Sequence, residues 1–182
     1  MDDLQAIQRL KDGDIGGLET LVARHQAKAV RMAFLITHDE TLAEDVVQDT
    51  FVRIYHHIRH FDPSRPFEPY LLRSVVNAAL DVAQKARHLS MEVDLDQVEG
   101  LLSQAASVES ELEYIQLKQR IVAALAQLEP RQRAVVIQRY YLEMSEKEMA
   151  VALDAPPGTI KWLLNIARAK LHDLLGSERS AE

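Results

Sequence analysis

The residue types most capable of chemistry in this chain surround a proline-rich segment in its first half. Three aromatic residues lie there close to four cationic ones: Phe61, Phe67 and Tyr70 with Arg65, Arg73, Lys85 and Arg87. Aromatic rings stack on unpaired bases and cations hold the backbone, so this combination is what the capture of single-stranded DNA requires. Three aromatic residues around a loop can equally form only its hydrophobic anchor, and the pattern leaves both interpretations open.

A second stretch is PPGTIKWLLNIARAKL, at residues 156–171, which has the pattern of the second helix of a helix-turn-helix. One apolar stripe of this helix must face a core, and it comprises Ile160, Leu163, Leu164, Ala167 and Leu171. We predict that Gly158 lies in the tight turn before the helix. We also predict that Thr159 caps the helix and turns backbone N–H groups toward a phosphate.

The opposite face of that helix carries side chains that can contact DNA. Lys161 and Arg168 can reach phosphates, and Asn165 can hydrogen-bond a base edge, adenine most naturally. Trp162 and Ile166 stand on this face where further cations are expected, and they also suit a groove on a partner protein. The pattern by itself leaves a DNA reader and a protein-binding helix open.

A third candidate surface lies on the helix predicted within EDVVQDTFVRIYHHIRH, residues 44–60. Asp45, Gln48 and Asp49 share one exposed strip of that helix because they are three and four residues apart. Such a strip is either solvated or docks a partner. His56 and His60 are also four apart and have the spacing for a metal ion, but no carboxylate stands at a convincing ligand spacing. We therefore predict no metal and no cofactor.

The composition excludes several classes of protein. The 182-residue chain has no cysteine, which excludes disulfides and thiolate metal sites. It carries no phosphate loop and no hydrolase or metalloprotease motif, so we predict that it is not an enzyme. The chain has no apolar run of membrane-spanning length and no signal peptide, which predicts a cytoplasmic protein without membrane insertion. Of the net charge of −7, residues 91–118 contribute −6, with one basic and seven acidic residues.

Local signals predict where several helices begin. Thr41 and Glu44 have capping-box spacing, as do Ser145 and Glu148. Pro130 suits the first turn of another helix, where its missing N–H costs nothing.

Helical periodicity runs through almost the whole chain, and no strand pattern or internal repeat interrupts it. Residues 91–111 differ, because they are acidic and weakly periodic. We interpret them as a linker, with an acidic stretch that competes with nucleic acid for a basic groove as the alternative. The sequence thus predicts an all-α protein with two small helical domains joined by an acidic linker.

The order of the motifs is more specific than any one of them. Taken in sequence, LAEDVVQDTFVRIY, FDPSRPFEPYLLRSVVNAALD and, after the linker, ALAQLEPRQRAVVIQRYYLEMSEKEMAVALDAPPGTIKWLLNIARAKL resemble the extracytoplasmic-function sigma factors of bacteria. The resemblance covers roughly residues 15–90 and 112–176. It implies sigma domain two over 1–90, a linker over 91–111, and sigma domain four with its helix-turn-helix over 112–182.

The resemblance also implies a role for each candidate surface. Asp45, Gln48 and Asp49 match the segment that docks on core RNA polymerase. The residues implied for opening the −10 promoter element are Phe61, Arg65, Phe67, Tyr70, Arg73, Asn77, Asp81, Lys85 and Arg87. Those implied for the −35 element are Thr159, Lys161, Trp162, Asn165 and Arg168 on the last helix, with phosphate contacts from Arg131 and Arg133.

The chain departs from the family pattern at a few positions. The family commonly has Trp where Tyr70 stands, Gly where Asp154 stands, and Arg or another polar residue at Leu163 and Ile166. Because fewer cations release fewer counterions, we predict weak and weakly salt-dependent DNA binding by domain four alone.

The resemblance predicts a sigma factor that directs promoter-specific transcription initiation and is controlled by an anti-sigma factor. The alternative is a sigma mimic that sequesters an anti-sigma factor without binding promoters. An ordinary helix-turn-helix repressor would leave the first ninety residues unexplained.

Overall fold

The computed structural model describes residues 2–86 and 111–176, and every regular element within these two stretches is helical. A single 3₁₀ turn, Ile58–His60, extends the third helix. Residues 91–110 of the predicted acidic linker and Arg87 lie outside the described residues, whereas Glu111, the last residue of that predicted linker, begins a helix. The α-helices, in chain order, are α1 (Asp3–Lys11), α2 (Gly16–Thr37), α3 (Glu40–His57), α4 (Phe67–Ala86), α5 (Glu111–Ala126), α6 (Pro130–Tyr140), α7 (Glu146–Ala152) and α8 (Pro157–Gly176).

The first four helices pack around α2, which contacts α1, α3 and α4. Fully buried Leu21, Ala29, Ala33 and Ile36, together with buried His25, recur on α2 at three- and four-residue intervals, so one face of the helix builds the core. Gly17 lets α1 approach closely, because a Cβ there would lie 2.2 Å from the carbonyl oxygen of Ala6. This packing holds α3 and α4 side by side, and these two helices carry the candidate site.

The predicted start of α3 at Thr41 is wrong. Asp39 caps the helix instead, since its Oδ1 accepts a hydrogen bond from the N–H of Leu42 at 2.9 Å. The residue before it, His38, has a left-handed backbone with φ of 53° and ends α2. Only His38 and Asp39 connect the two helices, so Thr41 falls within the first turn of α3.

The start signals of the second half have mixed outcomes. Pro130 opens α6 as predicted, and the capping box of Ser145 and Glu148 at the start of α7 is confirmed. The predicted cap of the last helix is wrong, because α8 begins at Pro157 and Thr159 lies within its first turn. Gly158 is therefore inside the helix and not in the turn before it. Pro157 can begin the helix because its ring already fixes φ near the helical value.

The turn between α7 and α8 depends on Asp154, which has a left-handed φ of 45°. Asp is one of the few non-glycine residues that adopt this conformation at modest cost. This left-handed backbone explains why the resembled family commonly has glycine at this position. After the turn, α8 buries Ile160, Leu163, Leu164 and Ala167, which confirms the predicted apolar stripe.

The two halves of the chain pack against each other. Helix α6 contacts α4 and α2, and α5 also touches α2. Buried residues of α2, α4, α6, α7 and α8 belong to one continuous hydrophobic cluster, exemplified by Ile36, Val76, Val135, Met149 and Ile160. We call the contact of α6 and α7 with α2 and α4 the seam. None of the described helices combines the length and apolarity needed to cross a membrane.

Candidate nucleic-acid interface

The aromatic residues around the proline loop form a stack with one exposed member. The ring centroids of Phe61 and Phe67 lie 5.8 Å apart, and that of Phe61 lies 5.0 Å from Tyr70. Phe61 and Phe67 are buried, whereas Tyr70 is 38% exposed. The two phenylalanines support Tyr70 from below, as a hydrophobic anchor does, and their direct contact with DNA stays a prediction. Tyr70 is the ring of the three that can stack on a base in this conformation.

Tyr70 borders two neighbouring clefts. The first has a volume of about 570 Å³ and is lined by Phe61, Arg65, Tyr70 and Arg73 together with His57 and His60. The second has a volume of about 340 Å³ and lies between α3 and α4. His57 and Tyr70 line both clefts, so the Tyr70 ring stands between them. This geometry offers a concave site on either side of one exposed aromatic ring.

The loop that leads into α4 is held by its own polar groups. Asp62 Oδ1 accepts hydrogen bonds from the Ser64 hydroxyl at 2.7 Å and from the Ser64 N–H at 3.0 Å. These bonds, helped by the nearby charges of Arg65 and Lys11, hold the pKa of Asp62 below its usual value. Lys11 Nζ also donates to the carbonyl oxygen of Phe61 at 2.7 Å. Helix α1 therefore helps to position the rim of the first cleft.

Four of the predicted −10 residues follow one another along α4 at four-residue spacing: Arg73, Asn77, Asp81 and Lys85. Residues with this spacing lie on one strip of a helix. Asp81 and Lys85 are exposed, and Asp81 lines the second cleft. The seam covers the other end of this α4 strip, because Arg73 and Asn77 bind groups of α6 and α7. The four predicted residues thus share one strip of α4, and the end of the strip with Arg73 and Asn77 contacts the second half of the chain.

Two residues of the clefts escaped the sequence reasoning. His57 lines both clefts, and its Nδ1 donates to the carbonyl oxygen of Arg53 at 2.8 Å. Arg53 lines the second cleft and adds a cation on the α3 side. Arg53 and His57 follow Asp49 at four-residue intervals along the same helix. This spacing was the signal in the sequence that could have identified them. His56 and His60, whose spacing was considered for a metal ion, do not line both clefts, and His60 lines only the first.

Metal binding has no support from the described residues. Within residues 2–86 and 111–176, no group of three or more His, Asp or Glu side chains is placed to hold an ion. His56 packs against the ring of Tyr55, with centroids 5.4 Å apart, while His60 lines the first cleft.

The acidic strip of α3 is open to solvent. Asp45, Gln48 and Asp49 are all exposed, on the side of α3 opposite the buried Val46, Val47 and Thr50. Val52, which is also exposed, continues this surface toward the end of the helix. An acidic strip beside an exposed apolar residue is a suitable surface for a partner protein.

Helix α8 presents its polar face outward. Lys161, Trp162, Asn165 and Arg168 are exposed, and Trp162 is 58% exposed. Arg168 Nε donates to the hydroxyl of Tyr140 at 2.7 Å, and its guanidinium lies 5.7 Å from the centre of that ring. Trp162 and Arg131 line a third cleft of about 650 Å³, which Gln84 of α4 also borders.

Arg133 differs from the other predicted phosphate contacts because it is buried in the seam. Burial lowers its pKa to about 10, although the carboxylate of Glu129 favours the charged form. Its charge acts on His38 of the first half, which is also buried. Arg133 cannot contact a phosphate while the two halves pack against each other in this way.

Comparison with known proteins places the chain in a family. The pattern described as Sigma-70 region 2 matches residues 21–88, and that described as Sigma-70, region 4 matches residues 118–171. Together these matches span both helical units, so the chain belongs to the extracytoplasmic-function sigma factors of bacterial RNA polymerase. The predicted all-α fold with two sigma domains is confirmed.

Individual relatives extend this similarity over nearly the whole chain. The RNA polymerase sigma factor CnrH of Cupriavidus metallidurans is 30% identical over 164 residues, which cover 87% of this chain and 86% of CnrH. SigW of Bacillus subtilis is 26% identical over 176 residues, or 93% of this chain and 94% of SigW. The structure of CnrH in complex with the cytosolic domain of CnrY superimposes with a TM-score of 0.60 at 27% identity, covering 96% of this chain and 97% of CnrH.

Proposed function

We propose that Tyr70 and the two clefts beside it capture an extruded base of the −10 element when this sigma factor opens a promoter. The observation that carries this proposal is the exposed Tyr70 ring, which stands between two clefts on a buried aromatic support. Extruding a base costs a few kcal/mol, which stacking and pocket contacts must offset. Arg65 and Arg53 supply cations at the rims of the two clefts.

We assign docking on core polymerase and contact with the −35 element to the other candidate surfaces. In our proposal the exposed strip of Asp45, Gln48 and Asp49 docks on core RNA polymerase. The outer face of α8 contacts the −35 element through Lys161, Asn165 and Arg168, with few phosphate contacts and hence a shallow salt dependence. We place the first unit at residues 1–90, the linker at 91–111 and the second unit at 112–182. The protein then works in the cytoplasm, by binding and not by catalysis.

Regulation by an anti-sigma factor is also part of the proposal. A solved structure holds CnrH in complex with the cytosolic domain of CnrY. A similar inhibitor of this chain needs a surface to grip. The cleft of Trp162, Arg131 and Gln84 suits an apolar side chain of such a partner, because it combines an exposed indole with a concave wall.

Transcription in vitro tests the function. Purified core RNA polymerase is incubated with this protein and a library of genomic promoter fragments, and transcript starts are mapped. We expect starts at a defined set of promoters that depends on the added protein. Failure to bind core polymerase would contradict the proposal. Core binding without promoter opening would instead favour the sigma mimic.

A further inference from the structure

We infer that the second cleft, which lies between α3 and α4, selects an extruded base with an amino group where guanine and thymine have a carbonyl oxygen. The base that this sigma factor captures in the −10 element is then adenine or cytosine. His57 and Asp81 are the residues that determine this specificity. The inference rests on the proposed capture of a base at Tyr70, and it names the bases that the site accepts.

The two clefts beside Tyr70 suit different parts of a nucleotide. The first cleft is lined by Arg65, whose side chain is 79% exposed, and a guanidinium at an open rim suits a phosphate. The second cleft is smaller, at about 340 Å³, and its walls are side chains of α3 and α4. We therefore place the base in the second cleft, where the choice among bases depends on the hydrogen-bonding groups of the lining.

The bond of His57 to its own helix determines which ring nitrogen carries the proton. The carbonyl oxygen of Arg53 can only accept a hydrogen bond, so His57 Nδ1, at 2.8 Å, is the protonated nitrogen. In the neutral imidazole, Nε2 then has a lone pair and no hydrogen. His57 is exposed and lines the cleft, so the ring nitrogen that it has left for a ligand is an acceptor.

The two hydroxyl groups of the lining have also donated their protons to backbone carbonyl oxygens. Thr50 Oγ1 donates to Val46 at 2.7 Å, and Ser74 Oγ donates to Tyr70 at 3.0 Å. Because a hydroxyl has a single proton, each of these oxygens can only accept a further bond. Thr50 is fully buried and Ser74 is half-buried, so Ser74 is the hydroxyl that a ligand can reach.

Asp81 supplies the strongest acceptor of the lining. It is exposed on α4 and lines the cleft, and its carboxylate forms no hydrogen bond or ion pair with the described residues. An ionised carboxylate only accepts hydrogen bonds, and bonds to a charged group are about twice as strong as those between neutral groups. Asp81 therefore favours a ligand that brings an N–H group.

Donors are fewer than acceptors among the described residues of this cleft. Arg53 is the guanidinium of the lining, and its Nη2 also lies 3.4 Å from the Thr50 hydroxyl. The amide of Asn77 is bonded through both its nitrogen and its oxygen to the second half of the chain. The Tyr70 phenol can take either role. A ligand that satisfies this lining must therefore bring more donors than acceptors.

The four bases differ at the position that such a lining distinguishes. Adenine and cytosine have an amino group there, which can donate two hydrogen bonds to His57 Nε2, Ser74 Oγ or the Asp81 carboxylate. The unprotonated ring nitrogen beside the amino group can accept from a guanidinium. A carbonyl oxygen in the same place would face the Asp81 carboxylate and leave these acceptors without a partner, which is the more costly arrangement.

Binding to forked promoter templates tests the base preference. Each template is double-stranded upstream of the −10 element and continues as a single non-template strand, in which every −10 position is changed in turn to each of the four bases. We expect polymerase holoenzyme to show one position where adenine or cytosine binds about fivefold to fiftyfold more tightly than thymine and guanine. Thymine or guanine bound as tightly as the amino bases at every position would overturn the inference.

Base analogues separate the amino group from the size of the ring. Purine is adenine without its amino group, and 2-pyrimidinone is cytosine without its amino group. At the selective position, we expect the analogue of the preferred base to lose the same factor of about fivefold to fiftyfold. An analogue that binds as tightly as its parent base would show that the cleft distinguishes only shape, and would contradict the inference.

Variants of the lining assign the preference to named residues. His57→Phe keeps a ring without ring nitrogens, and Asp81→Asn gives an amide that can donate as well as accept. We expect each variant to reduce the preference for the amino base at least about threefold. Asp173→Asn makes the same isosteric change at an exposed position near the end of α8 and should keep the full preference. The preference is a ratio between templates on one protein, so a general loss of binding leaves it unchanged.

The possible failures of these experiments are distinguishable. Full preference in both the His57→Phe and the Asp81→Asn proteins would overturn the assignment to this cleft. Binding of forked templates without any base preference would refute the inference and leave the proposed function intact. A holoenzyme that binds no forked template would refute the proposed function itself.

Discussion

At the scale of single residues, three cations of the second half donate hydrogen bonds to neutral acceptors. Arg168 donates to the Tyr140 hydroxyl, Arg139 to the Met144 carbonyl, and Lys170 to the Gln127 carbonyl. A neutral acceptor orients a cation without cancelling its charge. Arg168 is therefore pre-positioned on the outer side of α8 with its charge available to a phosphate, which compensates in part for the small number of cations.

Removal of the two outward cations of α8 tests this assignment. We expect Lys161→Ala combined with Arg168→Ala to weaken −35 binding and to lower the slope of log K against log salt by about two, since each phosphate contact contributes about 0.9. Lys170→Ala is the control, because Lys170 lies nine residues from Lys161 and therefore projects from the opposite side of α8, where its ammonium donates to the Gln127 carbonyl. Binding titrations with polymerase holoenzyme over a range of salt measure the slopes. An unaltered slope in the double variant would show that α8 is not the reader.

Charge reversal on α3 tests the docking strip. Asp49→Lys places a cation in the exposed acidic surface, and we expect a loss of at least about tenfold in core-polymerase affinity because the charge of the proposed docking surface is reversed at this position. Glu19→Lys, an exposed charge reversal on α2, is the control and should leave the affinity unchanged. Equal affinities of the two variants in a fluorescence-polarisation titration would remove the strip from the interface.

At the scale of helices and turns, two glycines of the chain have opposite surroundings. A Cβ on Gly17 would lie 2.2 Å from the Ala6 carbonyl oxygen and 2.9 Å from the Leu10 nitrogen, both of them backbone atoms of α1. A Cβ on Gly158, in the first turn of α8, would meet nothing within 4 Å. The first glycine is therefore a packing requirement, and the second is only a weak helix former.

Alanine at these two positions gives opposite predicted effects. We expect Gly17→Ala to lower the free energy of unfolding by about 1–3 kcal/mol, because α1 must move away from α2. Gly158→Ala should raise it slightly, by up to about 1 kcal/mol, since alanine is the better helix former. Urea denaturation followed by circular dichroism measures both. A Gly17→Ala protein as stable as the wild type would mean that α1 does not pack as described.

The sequence predicted helices more reliably than their first residues. The apolar stripe of α8 and the capping box of α7 depend on local spacing alone, and both are confirmed. The starts of α3 and α8 were misplaced because Asp39 and Pro157 provide a cap and a preset φ just before the predicted residues. Competing local signals a few residues apart cannot be ranked from the sequence by itself.

At the scale of the whole molecule, the seam decides which candidate residues are free, and no local pattern predicts it. Arg73 and Glu148 are 75 residues apart, as are Asn77 and Ala152. Arg133 reads in the sequence as one more surface cation of α6, yet it is buried against the first half. The packing of two separate units depends on surface shape and charge, which spacing within a helix does not encode.

The seam also predicts that its closure, meaning the packing of the two halves against each other, depends on pH. Burial, with the nearby charge of Arg133, lowers the pKa of His38 from 6.5 to about 3 in the closed chain. The other seam groups keep their charges in mildly acidic solution, because the pKa of Arg133 is about 10 and hydrogen bonds from Ser145 hold that of Glu148 below its ordinary value. Closure is therefore fully favoured above pH 6.5 and loses about 1.4 kcal/mol per unit as the pH falls below it.

Distances between spin labels attached at Ile15→Cys and His172→Cys, one exposed position on each half, measure this effect in a chain that has no native cysteine. Between pH 7.5 and pH 5.5 we expect the equilibrium constant for closing to fall about tenfold, because only the open form takes up the proton on His38. His38→Asn should remove the dependence, and Asn also tolerates the left-handed backbone at this position. A pH dependence that survives in the His38→Asn protein would assign it to another group.

The role proposed for Tyr70, to support the opened −10 strand, is measured most directly by promoter opening. The assay follows the fluorescence of 2-aminopurine in the non-template −10 strand with polymerase reconstituted from wild type, Tyr70→Ala or Tyr70→Trp. Stacking on an aromatic side chain contributes about 1–3 kcal/mol per base, so we expect Tyr70→Ala to reduce opening by about fivefold to a hundredfold. Tyr70→Trp, which keeps an aromatic face, should open the promoter as wild type does. Wild-type opening by Tyr70→Ala would contradict the account.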